Sequence, residues 1–435
     1  MTAERKALEI LQEITRGGAY ANLALKDGLA DEPANAARVT ALVYTALENL
    51  NYCDHIIDHY AKGRLHSVIR GVLRLALTEI FFMDTPDHAA CSRYTGLTAS
   101  IGKAKLKGFV NGVLRNVIRD RDADALPPLP ESFPERMEIL HGVPAFMAEE
   151  YARRYGESFT EELLSARVKG AAVRAVYPHT PEELFARLDG LGVPYVKSAL
   201  IEGAALPESL AAITGDEFFA SGGMTVQSEG AMLAARCLGV KPGLRVLDAC
   251  AAPGGKTAYI CDLMQRRGSV TAWDIHPHRV VLIKNTLRRL GIEGVDCSVR
   301  DASVPAPEYE NAFDAILLDV PCSGLGGGSK PDARYRRTRE SIEEISSVQR
   351  RILEACSGYL APGGALVYST CTLSERENEG AVRDFLETHT DFYADPLAGF
   401  LPEALRGRGD TGMLTLFPNV DGTEGFFIAR LVRKA

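Results

Sequence analysis

The stretch Leu244 to Thr257, LRVLDACAAPGGKT, constrains the fold of this chain more than any other. A short apolar run stops at Asp248, turns through small residues and enters a helical pattern. That is the order of a first strand, turn and helix in a nucleotide-binding α/β domain. Small residues let the backbone approach a ligand closely, and the helix that follows offers unsatisfied N–H groups and the positive end of its dipole. Something polar or charged belongs on that turn.

The residues alone leave two ligand classes open. Gly255-Lys256-Thr257 also matches the end of a phosphate-binding G-x-x-x-x-G-K-[ST] loop, and the apolar run Ala315 to Leu318 ending in Asp319 would pass for a magnesium-binding strand end. That loop calls for glycine at position 250, where Cys250 stands. The next strand, Ser269 to Asp274, ends in an acid about 20 residues after Gly254, the spacing at which a carboxylate meets ribose hydroxyls in dinucleotide folds. A ribose-bearing ligand fits better than a bare triphosphate.

Around this stretch the chain falls into three parts. The first 125 residues read as nearly continuous helix, with apolar positions three and four apart over Ala3–Thr15, Ala36–Leu50, Asn51–Ala61, His66–Phe82, His88–Ala99 and Gly108–Arg119. The sequence Leu126-Pro127-Pro128-Leu129-Pro130 breaks the helices. Helical patterns return from Ser132 to Gly170, and Ala171 to Thr225 mixes short apolar runs with the helical PEELFARLDG, which predicts a small α+β module. From Thr225 onward strands and helices alternate, which predicts a mostly parallel sheet with helices on both faces, closed by a hairpin of Thr411–Leu416 and Gly425–Val432. The expected boundaries are 1–127, 128–224 and 225–435.

Composition bounds the function. At 435 residues, 46% hydrophobic and 24% charged, the chain is an ordinary multidomain composition, without a long apolar segment or a basic-then-apolar start, so a cytoplasmic protein without a membrane partner is expected. Nine cysteines lie scattered, with no C-x-x-C and no Cys/His pair at zinc spacing, so neither disulfides nor a metal are expected. A net charge of −8 argues against coating nucleic acid over the whole surface, and any RNA contact must come from local patches. Lys103, Lys105, Lys107, Arg115, Arg119 and Arg121 form one such basic stretch, which taken alone reads more readily as a solvated helix face.

Two predicted strand ends carry thiols: Cys322 in Asp319-Val320-Pro321-Cys322, and Cys371 in Thr370-Cys371-Thr372. The carboxyl ends of strands line the ligand crevice of an open α/β sheet, so both can face one ligand. A lone cysteine is more often a small buried hydrophobe than a nucleophile. A pair on neighbouring strand ends suits one reaction in particular, methylation of a pyrimidine at carbon 5. Adding a thiolate to carbon 6 makes carbon 5 enamine-like, and a second group can assist release. Asp319 is placed to hydrogen-bond the base and stabilise the adduct. The residues do not decide which thiol adds.

The motifs DACAAPGGKT, DVPCSGLG, YSTCTLSERENE and DGTEGFFIARL resemble those of the Nop/Sun family of S-adenosylmethionine-dependent RNA cytosine-5 methyltransferases. HSVIRGVLRLALTEI and KGFVNGVLRNVIRD resemble a NusB-like RNA-binding domain. The pairing is similar to bacterial 16S rRNA cytosine-5 methyltransferases of the RsmB/Sun type, over essentially the whole chain. The resemblance implies an all-α NusB-like domain, a small α+β middle domain and a Rossmann-like α/β methyltransferase domain, acting on 16S rRNA as a monomer. It implies that Cys250, Ala251, Ala252, Pro253, Gly254, Gly255 and Lys256 form the loop under the methionine part of S-adenosylmethionine. By the same resemblance Asp274 is the ribose acid, Asp301 the adenine-side acid, and Asp319 touches donor and base, with Cys371 the nucleophile and Cys322 the thiol that supports release.

Two departures concern RNA contact. The loop after Cys322 carries Gly326-Gly327-Gly328-Ser329 ahead of Lys330-Pro331-Asp332 where relatives are more basic, and the middle domain's R-x-N pattern stands as Arg174-Ala175-Val176. A nucleotide hydrolase and a non-catalytic RNA-binding factor are the rival readings. Cys250 and the paired thiols oppose the first, and the intact Cys371, Cys322 and Asp319 oppose the second.

Overall fold

The computed structural model describes residues 2–30, 33–168, 170–326 and 337–435, so most of the Gly-rich loop and Lys330 to Asp332 lie outside the described residues. Two compact units divide at Ser165 and Ala166.

The first unit is helical: α1 (Ala3–Gly17), α2 (Ala21–Leu29), α3 (Ala36–Glu48), α4 (Leu50–Tyr60), α5 (Ser67–Phe82), α6 (Asp87–Thr98), α7 (Lys107–Asp122), α8 (Phe133–His141), α9 (Ala145–Tyr155) and α10 (Glu157–Ser165). Thr2 caps α1 by accepting from the Arg5 N–H, and Gly18, at φ 75°, ends it in the left-handed conformation that glycine adopts without penalty. α5 is central: its residues from Ile69 to Ile80 are nearly all buried in one core with α1, α3, α4, α6 and α7. Its one buried acid, Glu79, is neutralised by Arg38 of α3 and Arg93 of α6. The expected helices appear within a few residues of their predicted ends. α2 was not anticipated, because Ala21–Leu29 buries only Ala21, Ala24 and Leu25 and so shows little periodicity. α8 stays with this unit, where Asn51 of α4 donates to the Glu138 carbonyl at 3.0 Å.

The second unit opens with a four-stranded antiparallel sheet in the order β2-β3-β1-β4, built from β1 (Ala172–Ala175), β2 (Tyr195–Lys197), β3 (Ala204–Pro207) and β4 (Met224–Gln227). Helix α11 (Pro181–Gly190) packs on it, started by a reciprocal capping box between Thr180 and Glu183. The short helices α12 (Leu210–Thr214) and α13 (Glu217–Ala220) and then α14 (Glu229–Cys237) lead into the large sheet.

That sheet runs β10-β12-β9-β8-β5-β6-β7, with β11 paired to β12. Its strands are β5 (Arg245–Asp248), β6 (Ser269–Asp274), β7 (Asp296–Val299), β8 (Phe313–Asp319), β9 (Leu360–Thr370), β10 (Phe392–Ala394), β11 (Met413–Leu416) and β12 (Phe426–Arg433). β7, β6, β5, β8 and β9 are mutually parallel, and the terminal hairpin adds antiparallel strands beyond β9, as expected. The strands are apolar on both sides because both faces are covered. Val246, Leu317 and Val367 enter the core with α14, α15 (Gly255–Leu263) and α16 (Pro277–Arg289), while their neighbours Leu247, Leu318 and Leu366 enter the other, with the helix Arg339–Ser357. Parallel pairing therefore brings Asp248, Asp274, Val299, Asp319 and Thr370 to one edge.

The Arg174 of the altered R-x-N pattern turns inward. It is 4% exposed, pairs with Asp262 of α15, donates to the Gln227 side chain at 3.2 Å and lies 4.4 Å over the Tyr259 ring. It is a clamp between the small sheet and α15, not an exposed RNA contact. Burial pushes the Asp262 carboxyl up, and Arg174 works against that shift. Arg174→Met should therefore leave a buried carboxylate with only the more distant Arg266, 3.9 Å away, and lower the unfolding free energy of this unit by about 2–4 kcal/mol. Adding Asp262→Leu should return at least half of the loss. Urea titrations of the three proteins check this, and an additive double mutant would deny the coupling.

Candidate active site

The expected site residues lie along the carboxyl edge of the parallel strands. β5 ends at Asp248, which is fully buried and accepts from Thr257 Oγ1 at 2.7 Å, so the first turn of α15 is tied back to the strand. Between them Cys250 to Gly255 make the turn, and the Ala251 N–H donates to the Trp273 carbonyl at 2.8 Å, fixing the turn against β6. Gly254 sits at φ 101°, and a Cβ there would stand 3.2 Å from the Ile283 Cα of α16. Only glycine lets α15 begin this close to α16. Cys250 is half-buried, and burial pushes its thiol well above its ordinary value.

Asp274 closes β6. Its Oδ1 accepts the His276 N–H at 3.0 Å, and Arg279 approaches its Oδ2 at 3.8 Å. Asp301 follows β7, whose Val299 is registered with Asp274, and its carboxylate is held by the N–H and hydroxyl of Ser303 at 2.9 and 2.7 Å. The two acids thus stand at neighbouring strand ends. The exposed Ile275 follows Asp274 directly.

Asp319 lies at the middle of the edge, on β8 between β5 and β9. Lys256 Nζ, from the first turn of α15, donates to its Oδ2 at 2.6 Å, and the Ser369 hydroxyl of β9 donates to Oδ1 at 3.0 Å. Burial works to lower the Lys256 pKa, but Asp319, aided by Asp248, outweighs it and holds the ammonium above its ordinary value. Lys256 therefore remains a cation, and its tip is committed to Asp319.

The two thiols meet. Cys322, just past β8, and Cys371, just past β9, place their sulfurs 3.2 Å apart, both half-buried. Hydrogen bonding to Cys371 raises the Cys322 thiol well above its ordinary value, and burial and the nearby Glu377 charge add to the shift. Either sulfur can donate to the other across this contact. The backbone supports the pair: the Gly326 N–H donates to the Cys371 carbonyl at 3.1 Å, and the Gly425 N–H donates to the Gly326 carbonyl at 2.6 Å. A Cβ on Gly326 would lie 2.1 Å from the Gly425 carbonyl, which explains a glycine at each of these positions.

Sequence reasoning passed over the polar residues beneath the thiols. Ser323, Thr372, Glu377 and Gln349 are fully buried and hydrogen-bonded to one another. Three of them sat in the quoted motifs, where a serine, threonine and glutamate close to a cysteine were the available signal. Gln349 came from a helix with no such mark.

The basic patch of the helical unit is divided. Arg119 pairs with Asp120, and Arg121 with Asp87 and Asp122, whereas Lys105, Lys107 and Arg115 are exposed and Lys103 half-exposed, with no ion pair among the described residues.

Comparison with known proteins gives the family of both parts of the chain. A family model described as "16S rRNA methyltransferase RsmB/F" matches residues 235–432, and one described as "NusB family" matches residues 1–119. The chain is 34% identical over 444 residues to a probable ribosomal RNA small subunit methyltransferase B of Bacillus subtilis, covering 98% of each chain. It is 30% identical to ribosomal RNA small subunit methyltransferase B of Xanthomonas campestris, over 92% of this chain and 90% of the relative. Among solved structures, a methyltransferase homolog protein from Pyrococcus horikoshii covers 70% of this chain and all of its own (100%), at 28% identity and TM-score 0.60.

Burial pushes the Asp248 carboxyl up to about 6, with Thr257 and Lys256 opposing the shift. A carboxyl whose pKa is higher in the folded than in the unfolded chain favours folding only while protonated, so its contribution is present below about pH 4 and is lost as pH rises through about 6. Asp248→Asn keeps an acceptor for Thr257 and removes the charge. Its stability relative to the unaltered protein should therefore rise between pH 4 and pH 7, by about 2–3 kcal/mol, since each tenfold weakening of proton affinity on unfolding is equivalent to roughly 1.4 kcal/mol. Urea denaturation at several pH values reads this, and a pH-independent difference would refute it.

Proposed function

The chain belongs to the 16S rRNA methyltransferase RsmB/F family, and on that footing we propose that it transfers a methyl group from S-adenosylmethionine to carbon 5 of a cytosine in 16S rRNA, through a covalent cysteine adduct at carbon 6. One observation carries the proposal: two thiols 3.2 Å apart at the carboxyl ends of adjacent parallel strands, beside an aspartate that is itself bonded to the glycine-rich turn.

The turn fits the donor. The cradle at Gly254, the start of α15 and the acids Asp274 and Asp301 at neighbouring strand ends suit a ligand with a ribose and a charged amino-acid part. Cys250 to Lys256 hold the methionine part, Asp274 the ribose hydroxyls and Asp301 the adenine side. When bound, S-adenosylmethionine supplies an electrophilic methyl group. A hydrolase would need the lysine tip for phosphate, but Lys256 is engaged by Asp319. A purely RNA-binding factor would have no use for the thiol pair.

The chain's own groups perform the rest. Cys371 attacks carbon 6 as the thiolate, forming a carbon–sulfur bond and raising electron density at carbon 5. Asp319, oriented by Lys256 and Ser369, hydrogen-bonds the base and stabilises the adduct. After carbon 5 is methylated its proton passes to solvent water, the electron pair of that C–H bond re-forms the ring double bond, and the sulfur of Cys371 departs as thiolate. The Cys322 S–H, facing that sulfur, stabilises the departing anion. The NusB-family region contributes RNA affinity through Lys103, Lys105, Lys107 and Arg115, and the protein works in the cytoplasm.

Cys371→Ala should keep donor binding and abolish turnover, whereas Cys322→Ala should methylate once and remain attached to its RNA. On a denaturing gel with labelled RNA, a shifted band with Cys322→Ala and none with the double substitution is expected. A band that persists in Cys371→Ala and vanishes in Cys322→Ala would reverse the two roles. Separately, replacing Lys103, Lys105 and Lys107 together by Gln should make the dependence of log affinity for RNA on log salt shallower, by about 2–3, since each phosphate contact contributes about 0.7–0.9 to the slope. An unchanged slope would return the patch to a solvated face.

A further inference from the structure

Glu377 has no part in the chemistry set out above, yet it is fully buried beneath both thiols. Its Oε2 accepts the Ser323 N–H at 2.8 Å and the Gln349 amide at 2.9 Å, and its Oε1 accepts the Ser323 hydroxyl. Gln349 also donates to the Pro321 carbonyl at 2.8 Å. The residues on either side of Cys322 are therefore both tied to this cluster.

The hydrogen bonds run in one direction. The Ser323 proton is committed to Glu377, so the Thr372 hydroxyl, 2.8 Å from Ser323 Oγ, donates to it, and Thr372 Oγ1 in turn accepts the Ser374 N–H at 3.3 Å. Thr372 follows Cys371, and Asn378 donates to the Thr372 carbonyl at 2.8 Å. The chain of donors thus begins at one cysteine loop and ends, through the other, on the carboxylate. An all-acceptor group satisfies every one of these donors, whereas a carboxamide at 377 would aim its NH₂ at one of them and force the Ser323 and Thr372 hydroxyls to reverse.

The two loops do not depend on this cluster equally. Cys371 directly follows β9, whose last residues are registered with β8 on one side (Asp319 with Ser369) and β12 on the other (Thr370 with Phe427). Cys322 lies beyond the end of β8, where no sheet ladder reaches it. Its position comes from the contacts of Pro321, Ser323 and Gly326.

We infer that Glu377 is a positioning residue for the release half of the reaction, locking the Cys322 loop against the Cys371 loop so that the two sulfurs stay within reach. This rests on the covalent mechanism under Proposed function. Loosening the Cys322 loop leaves Cys371 on its strand, so addition and methyl transfer continue while release fails.

The test is Glu377→Gln, nearly identical in volume, with Cys322→Ala beside it, each incubated with S-adenosylmethionine and a labelled 16S rRNA transcript. Glu377→Gln should lower kcat at least tenfold, leave S-adenosylmethionine affinity within about twofold, and accumulate the covalent protein–RNA band seen with Cys322→Ala. Ser323→Ala, which removes the hydroxyl link to Thr372 but keeps the Ser323 N–H, should give the same band at lower yield, and it decides the matter if Glu377→Gln does not fold. A merely structural role would lower turnover without the band. If Cys322→Ala accumulates a band and folded Glu377→Gln does not, the positioning role is wrong and the mechanism stands. If Cys322→Ala itself gives none, the mechanism fails and the positioning role with it.

Discussion

The bond between Lys256 and Asp319 joins the elements on which the site depends. Lys256 belongs to the helix that the glycine-rich turn initiates, and Asp319 to the strand that leads to Cys322, so one 2.6 Å contact couples that turn to the thiol loop. Ser369 extends the coupling to the strand that leads to Cys371. Removing either partner would leave a charge in a partly closed crevice without its counterpart, which costs more than the pair gains over an apolar replacement. The arrangement fixes the orientation of the Asp319 carboxylate from two sides, through Lys256 and Ser369, without help from a ligand.

Beneath this pair the structure spends polar groups in unusual depth. Glu377, Ser323, Thr372, Gln349 and Asn378 are buried and bonded to one another or to the thiol loops. Of the polar side-chain atoms in these five residues only Gln349 Oε1 lacks a partner among the described residues, and a network so nearly satisfied favours one geometry, because alternatives strand further donors or acceptors away from water. The apolar layers on either side of the sheet tolerate sliding of about a methyl group more easily than such a network tolerates a lost partner. Two sulfurs that must stay near 3.2 Å are better held by directional bonds than by packing alone.

The small antiparallel module shows the same logic at a boundary. Arg174 spans from β1 to α15, and its stacking on Tyr259 and pairing with Asp262 make the module part of the unit that carries the donor loop. Read as sequence, Arg174-Ala175-Val176 bore on RNA contact. In the fold the guanidinium is consumed inside the protein and is not available to a ligand at the surface.

Much of this was legible in the sequence, for a definite reason. Helical and strand periodicities, the break at Leu126 to Pro130 and the strand ends marked by Asp248, Asp274 and Asp319 are local patterns, set by side-chain spacing and turn chemistry within a few residues. They were enough to determine the helical first part, the mostly parallel sheet and the edge on which the site lies. The short strands β3, β4 and β10 were missed, since three or four residues carry little period and, unlike β5, none of them ends in a marked turn. What the tertiary structure alone decided is which polar groups meet: Lys256 with Asp319, Arg174 with Asp262, and Glu377 with the loops of two cysteines 49 positions apart. Those partners are chosen by sheet order and helix packing, and a sequence states the residues without stating the distances between them.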